Sequence, residues 1–184
     1  MTAVVAEYKL GSGEIVRDRP NSHLHESVKP FLVETFARLS SGGRSFIREE
    51  VPFASDIGVC NCVKTSRGDE GNIVYAVRPG RGGYTRFVKE RPADPCDSVV
   101  VMLKRTDGDS YVIVTAFIGW LSRTVHEPWD RDADLDRSLN FWLGHDDDAP
   151  GVGHALVWGS EPVIPGTETT TCHWDKVVKD VKGS

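Results

Sequence analysis

One pair of apolar segments limits most strongly what this chain can fold into. Over residues 98–117 the sequence SVVVMLKR is followed by TDGD and then by SYVIVTAF. Two β-branched runs on either side of Asp107-Gly108 predict a β-hairpin, because glycine can adopt the positive φ of a tight turn. The run over 99–103 is apolar at every position, which predicts that the hairpin lies at the centre of its sheet.

Shorter segments of the same kind surround this hairpin. Four β-branched or aromatic runs, separated by Gly, Pro, Asp and Asn, predict strands over 46–53, 57–63, 73–77 and 84–88. Upstream of them, apolar residues recur at three- to four-residue spacing, which predicts an amphipathic helix; they are Val28, Phe31, Leu32, Phe36 and Leu39. Either Asn21-Ser22 or Ser27 is a suitable N-cap for this helix.

These patterns predict an α+β fold, with an N-terminal helix followed by a mainly antiparallel sheet of about five to six strands and a long irregular insertion. The length fits a single domain over 1–184, since domains cluster at about 100–200 residues. We expect an N-terminal arm over 1–20, a helix plus sheet core over 22–118, and an acidic loop-rich insertion over 119–153. A final strand and a short C-terminal helix are expected over 154–184.

The charge distribution limits the partners. A net charge of −5 argues against nucleic-acid binding over the whole surface. Residues 78–91 carry five basic residues and one acidic residue, so that segment either binds a polyanion locally or is a solvated hairpin face. Residues 127–148 carry eight acidic and two basic residues. This acidic segment either covers the basic one as an autoinhibitory RNA mimic or is a solvated loop.

Several classes of protein are not expected. The sequence has no run of about 18 apolar residues that could cross a membrane, and its N-terminus lacks the pattern of a secretory signal. We therefore expect a cytoplasmic protein without a membrane partner. Its cysteines are expected to be buried free thiols, because the second ligand pair of a zinc site is absent; they are Cys60, Cys62, Cys96 and Cys172.

The candidates for chemistry are single side chains, because no hydrolase, kinase or dinucleotide-binding motif is present. His23 and His25 precede the predicted helix, and histidine can exchange protons near neutral pH. Alternation along the predicted strand over 84–88 directs Arg86 away from the face of Phe87 and towards a possible site. Thr115 is a polar residue inside an apolar run. Each also has a plain structural interpretation, as an exposed histidine, a surface arginine or a hydroxyl that bonds a carbonyl.

In combination, the histidines before a helix and the sheet that follows resemble the barnase/EndoU/colicin/RelE-like superfamily of small metal-independent ribonucleases, which includes many bacterial toxin domains. The resemblance covers roughly residues 22–118. It is carried by His23 and His25, by the segment over 77–89, and by the hairpin end Val114-Thr115-Ala116-Phe117. Toxin members often end the sheet with Thr-Ala-aromatic-Pro, whereas this chain has Ile118 in place of the proline.

The resemblance implies RNA cleavage by 2′-hydroxyl transesterification, with no metal or other cofactor. It assigns His25 and His23 as base and acid, in either order, and Arg86 with Lys89 as groups that stabilise the charged phosphorane. The supporting residues it implies are Thr115 as a hydrogen-bonding group, Arg78, Arg81 and Tyr84 as substrate-binding residues, and His126 and His154 as reserves. The implied partners are RNA and a protein inhibitor.

Two other functions stay open on the sequence. A non-catalytic protein-binding or immunity-type module of a bacterial cytosolic system would use tryptophans as interface anchors, namely Trp120, Trp129, Trp142, Trp158 and Trp174. A metal hydrolase would use His23, His25 and a carboxylate from residues 146–148. A nuclease requires His23, His25 and Arg86 in one cleft, and a binding module does not.

Overall fold

A computed structural model describes residues 6–106, 108–144 and 153–174. The chain divides into two compact units, the first made of Met1–Cys60 and Pro95–Leu121, the second of Asn61–Asp94 and Ser122–Ser184. The expectation of one domain over 1–184 stays a prediction. Within the described ranges, no helix is long and apolar enough to span a membrane.

The described residues contain twelve strands and two α-helices. The strands are β1 Ala6–Lys9, β2 Ile15–Asp18, β3 His23–Leu24, β4 Phe46–Pro52, β5 Gly58–Cys60, β6 Cys62–Lys64, β7 Ile73–Val77, β8 Tyr84–Val88, β9 Asp94–Cys96, β10 Ser98–Arg105, β11 Ser110–Ile118 and β12 His154–Val157. The α-helices are α1 Leu32–Ala37 and α2 Leu135–Leu143, and 3₁₀ segments cover Glu26–Phe31, Arg67–Asn72 and Leu121–Arg123.

The predicted hairpin is confirmed as β10 and β11, at the centre of the sheet of the first unit. The strand order is β1-β2-β11-β10-β4, and β3 also pairs with β11. β10 and β4 are antiparallel, whereas β2 and β3 run parallel to β11. Consecutive residues Val99, Val100 and Val101 are all fully buried, so the apolar side chains on both faces of β10 are covered. Within the part of the chain that the structure describes, the outer strands of this sheet are β1 and β4.

The expected N-terminal helix is wrong in position and in length. Three strands precede it, and the α-helical part covers only α1, after the 3₁₀ segment Glu26–Phe31. Pro30 lies inside that segment, and because proline has no backbone N–H it cannot make the α-helical hydrogen bond. The predicted apolar spacing is nevertheless confirmed, since Val28, Leu32 and Phe36 are all fully buried.

The described part of the N-terminal arm is a β-hairpin made of β1 and β2. Gly13 in its turn has a φ of +106°, which glycine adopts without steric cost. The N–H of Gly11 donates to the carbonyl of Phe36 at 3.0 Å. A Cβ atom at Gly11 would lie 2.4 Å from the carbonyl oxygen of Ala37. Glycine at this position therefore lets the turn lie directly against the end of α1.

The sheet of the second unit contains four strands in the order β6-β12-β8-β7. β7 and β8 have the predicted bounds, and β12 confirms the predicted final strand. β12 runs parallel to β8 and antiparallel to β6. Buried side chains cover both faces of the sheet, with Val63, Val88 and Ala155 in one cluster and Val74, Ala76 and Phe87 in the other.

The expectation of an irregular insertion over 119–153 is also wrong, because α2 lies inside it. The carboxylate of Asp134 caps this helix by accepting the N–H of Arg137 at 3.1 Å. Gly144 ends it with a φ of +65°, the left-handed conformation typical of a helix end. Trp142 is buried and anchors the helix.

The fold class is therefore corrected. Among the described residues, sheets of six, four and two strands replace the single sheet of about five to six strands, and the two-stranded sheet is formed by β5 and β9. The strand predicted over 57–63 is two strands, β5 and β6, which belong to different sheets. Alternation identifies strands but not their pairing, which explains the error. Residues 175–184, at the end of the range in which the short C-terminal helix is expected, lie outside the described residues.

Candidate functional site

The structure places His23, His25 and Thr115 in the first unit. β3 runs parallel to β11 with His23 opposite Thr115, and the N–H of His25 donates to the carbonyl of Ala116 at 3.2 Å. The ring of His25 lies 5.9 Å from that of Phe117. Both histidines are exposed and Thr115 is half-buried. The pairing of β3 with β11 therefore brings these three predicted residues close together.

Arg86 lies in the second unit and is 92% enclosed, with 8% of its surface exposed. Its Nη1 atom donates to Oγ1 of Thr65 at 3.1 Å, to the carbonyl of Trp142 at 2.9 Å and to that of His154 at 2.6 Å. Among the described residues, no carboxylate forms an ion pair with it. Strand β8 aims this side chain into the unit, where it links β12, α2 and the end of β6.

Arg78 is also held inside the second unit. Its Nε atom donates to Oγ1 of Thr85 at 2.9 Å, and its Nη2 atom lies 2.7 Å from Oε2 of Glu127. Only 3% of Glu127 is exposed, and burial raises the pKa of its carboxyl despite the nearby guanidinium of Arg78. This is one contact between the basic segment and the acidic segment over 127–148. The autoinhibition hypothesis stays a prediction.

The other predicted site residues of the basic segment have different surroundings. Lys89 forms an ion pair with Glu168, and its Nζ atom lies 4.9 Å from the ring centre of Trp158. The ring of Tyr84 stacks on that of His173 at 4.4 Å. Arg81 lies in the turn between β7 and β8 and is exposed.

The two reserve histidines have different surroundings. His126 is exposed, and its Nδ1 atom lies 3.6 Å from Oδ2 of Asp130. The ring of His154 stacks on Phe141 at 3.9 Å, and its Nδ1 atom lies 3.0 Å from the carbonyl oxygen of the same residue. Burial is the main cause of a lowered pKa at His154, to which the positive charges of Arg123, Lys64 and Arg86 add.

The predicted catalytic set is therefore divided between the units. His23, His25 and Thr115 belong to the first, and all other predicted site residues belong to the second. Neither unit contains the whole set. Most of the tryptophans that were considered as interface anchors pack within the second unit. Their contacts include those between Trp129 and the carbonyl of Tyr84, between Trp158 and Phe87, and between Trp142 and Trp174.

The described residues contain no group of three or more His, Cys, Asp and Glu side chains that could hold a metal ion. The carboxylates over 146–148, which the metal-hydrolase alternative needs, lie outside the described residues. That alternative stays a prediction.

The first unit contains a groove with a volume of about 630 Å³. The sequence analysis did not predict this groove. Its lining is Glu7, Tyr8, Lys9, Gly13, Ile15, Val33 and Ala37. Lys9 is the register partner of Ile15, and Tyr8 is that of Val16, so Lys9 and Tyr8 lie on opposite faces of the sheet. The lining thus comes from both faces of the β1–β2 hairpin and from α1, and the groove lies beside the edge strand β1.

This groove combines an open strand edge with exposed apolar side chains. Val33 on α1 is 70% exposed and Ile15 on β2 is 38% exposed. The alternation in AEYK and IVR around a Gly-Ser-Gly turn is a hairpin signal that could have located this edge. Nothing in the sequence could have indicated that α1 lies beside it.

Comparisons with protein-family models, with curated proteins and with solved structures find no match for this chain. The resemblance to the ribonuclease superfamily stays a prediction.

The first testable consequence concerns Arg86. In Arg86→Met, two buried carbonyl oxygens lose this donor, and each such loss costs about 1–3 kcal/mol. We expect the free energy of unfolding of the second unit to fall by about 2 kcal/mol or more, as measured by urea unfolding followed by tryptophan fluorescence. The matched control is Arg81→Met, an exposed arginine of the same segment, expected to change it by less than about 0.5 kcal/mol. Equal effects of the two variants would contradict the structural role of Arg86.

The second consequence concerns pH. Because the pKa of His154 is lower in the folded protein than its usual 6.5, the unfolded chain binds this proton more readily. The neutral His154 side chain therefore contributes to the stability of the folded protein above pH 6.5, and this contribution is lost as the pH falls below 6.5 towards the lowered pKa. Between about pH 7 and about pH 5, the wild type should lose more stability than His154→Gln. Parallel curves for the wild type and His154→Gln would disprove the prediction.

Proposed function

We propose that this protein is a non-catalytic protein-binding module, which takes an extended polypeptide segment onto the outer edge of β1. The groove along that edge is the observation that carries the proposal. Addition of a strand to an open sheet edge is a common mode of peptide recognition, in which main-chain hydrogen bonds supply affinity and side-chain pockets supply specificity.

Among the described residues, no strand pairs with the outer side of β1, so the backbone donors and acceptors on that side have no strand partner there. Leu10 and Glu14 are the next facing residues after the Lys9–Ile15 pair. They form a hydrogen-bonded pair, since the N–H of Leu10 donates to the carbonyl of Glu14 at 2.9 Å. Hydrogen-bonded and non-hydrogen-bonded pairs alternate along an antiparallel ladder. Tyr8 therefore directs its N–H and C=O towards β2, whereas Glu7 and Lys9 direct theirs away from it.

The walls of the groove are suited to an extended segment with alternating side chains. One wall contains the exposed Val33 and Ala37 of α1, on the side of the sheet where Tyr8 packs on Phe36 at 5.2 Å. On the opposite face, the residues nearest to that edge are Glu7 and Lys9 of β1, and Ile15 lies one strand further in. Successive side chains of an added strand point to opposite faces, so they would lie alternately beside the apolar side chains of α1 and beside Glu7 and Lys9.

The other edge strand, β4, is less suited to this role. It contains three consecutive charged residues, Arg48, Glu49 and Glu50, and ends at Pro52. Charges and proline are the features by which natural edge strands resist the addition of another strand. β1 also has two charged residues, but it contains no proline, and because the two charges have opposite signs an added strand can pair with both.

The ribonuclease is the competing proposal, and the basic residues of the second unit favour the binding module over it. The mechanism needs free cationic groups beside a phosphate. Arg86 bonds to three oxygens inside its unit, Arg78 pairs with Glu127, and Lys89 pairs with Glu168. Binding by strand addition uses none of these residues.

The binding proposal is tested with a phage-displayed library of random peptides. We expect selected peptides to have alternating apolar residues, and Val33→Glu to weaken their binding by about tenfold or more because it puts a charge in the apolar wall. Val59→Glu is the matched control, since Val59 is a 51% exposed valine of the same unit outside the groove. Affinities are measured by calorimetry.

Two results would contradict the proposal. One is the absence of selected peptides, or peptides that bind Val33→Glu and Val59→Glu equally well. The other is cleavage of total RNA in excess EDTA, giving 2′,3′-cyclic phosphate ends, that is lost in His25→Ala. That second result would establish the ribonuclease.

A further inference from the structure

We infer that the segment bound at this edge is β1 of a second copy of this chain, in an antiparallel pair with Tyr8 on the twofold axis. The inference rests on the proposed function, because it names the partner of the same groove. It is carried by the order of charges in β1 together with the direction of its backbone groups.

The backbone limits the possible registers. In an antiparallel pair, residues that direct their N–H and C=O groups towards the partner strand must lie opposite one another. Glu7 and Lys9 are the residues of β1 that do so. A twofold axis then has three possible positions, at Glu7, at Tyr8 or at Lys9, because a symmetric interface pairs each residue with its own counterpart across the axis.

The charges select one of these registers. An axis at Glu7 places Glu7 opposite the partner's Glu7, and an axis at Lys9 places two lysines opposite each other. An axis at Tyr8 places Glu7 opposite the partner's Lys9, and the symmetry repeats this pair. Opposite charges stabilise directly facing positions and like charges destabilise them. β1 is therefore complementary to itself only in the register centred on Tyr8.

The surroundings of the charged pair fit the same arrangement. Glu7 already forms an ion pair with Arg17 on β2 at 2.8 Å, and the partner's Lys9 would add a second cation on its open side. Lys9 faces the same side of the sheet as Glu7. The added strand would also cover the groove beside Val33, which is 70% exposed.

The test is a charge exchange in the full-length chain. Sedimentation velocity from about 1 µM to about 1 mM should show a concentration-dependent dimer for the wild type. In Glu7→Lys and in Lys9→Glu, both ion pairs become like-charge pairs, so dimerisation should weaken by about tenfold or more. An equimolar mixture of the two variants restores opposite charges and should form a heterodimer, observed by native mass spectrometry.

Lys104→Glu is the matched control. It makes the same change in net charge at an exposed lysine of β10, and it should dimerise like the wild type. If the mixture forms no heterodimer although the wild type dimerises, the chains associate through another surface and the inference is wrong. If Lys104→Glu weakens the dimer as much as Lys9→Glu, dimerisation depends on the net charge of the chain. The proposed pairing of Glu7 with the partner's Lys9 is then wrong.

The inference and the proposed function can fail separately. A wild type that stays monomeric up to the highest concentration but binds selected peptides, with loss of binding in Val33→Glu, overturns the second copy as partner and leaves the binding module intact. A monomeric wild type that also selects no peptide overturns both.

Discussion

Backbone groups in a sheet must find hydrogen-bond partners, and the first unit is organised around this requirement. The β10–β11 hairpin is buried, so nearly all its N–H and C=O groups need partners. β4 supplies them on one side, and β2 and β3 supply them on the other. β2 in turn is paired with β1. The requirement ends at the outer side of β1, where the backbone groups of Glu7 and Lys9 point away from the sheet.

In the second unit, the groups that need partners are the enclosed guanidinium groups of Arg86 and Arg78. The guanidinium of Arg86 is surrounded by oxygens from three separate parts of the chain. Arg78 is balanced by the buried Glu127. Buried charges are costly, and the hydrogen bonds of Arg86 and the ion pair of Arg78 reduce that cost. The basic segment around β8 thus contributes to the packing of its own unit.

The extent to which the fold could be predicted depends on how local each signal is. β7, β8 and the β10–β11 hairpin are recognised because apolar alternation and a turn are properties of neighbouring residues. The division of 57–63 into two strands of different sheets depends on pairing with distant strands, which a single sequence does not contain. α2 has a local signal, in the cap at Asp134 and the glycine at Gly144, that its acidic surroundings obscured.

The same distinction applies to the candidate site. The proximity of His23 to Thr115 follows from a parallel pairing of two distant segments, and the enclosure of Arg86 follows from residues 21 to 68 positions away. Alternation correctly indicated that Arg86 and Phe87 face opposite sides of β8, but it could not indicate that α2 and β12 cover the arginine. The groove beside β1 was missed because it needs both the hairpin and the position of α1.

Amide hydrogen exchange, measured residue by residue in dilute and in concentrated protein, tests most directly whether the outer edge of β1 binds another strand and whether this strand is β1 of a second copy. The N–H of Tyr8 faces β2 and should exchange slowly at both concentrations. Those of Glu7 and Lys9 should exchange quickly in dilute protein and slowly in concentrated protein. Fast exchange at Glu7 and Lys9 in both samples would contradict the account.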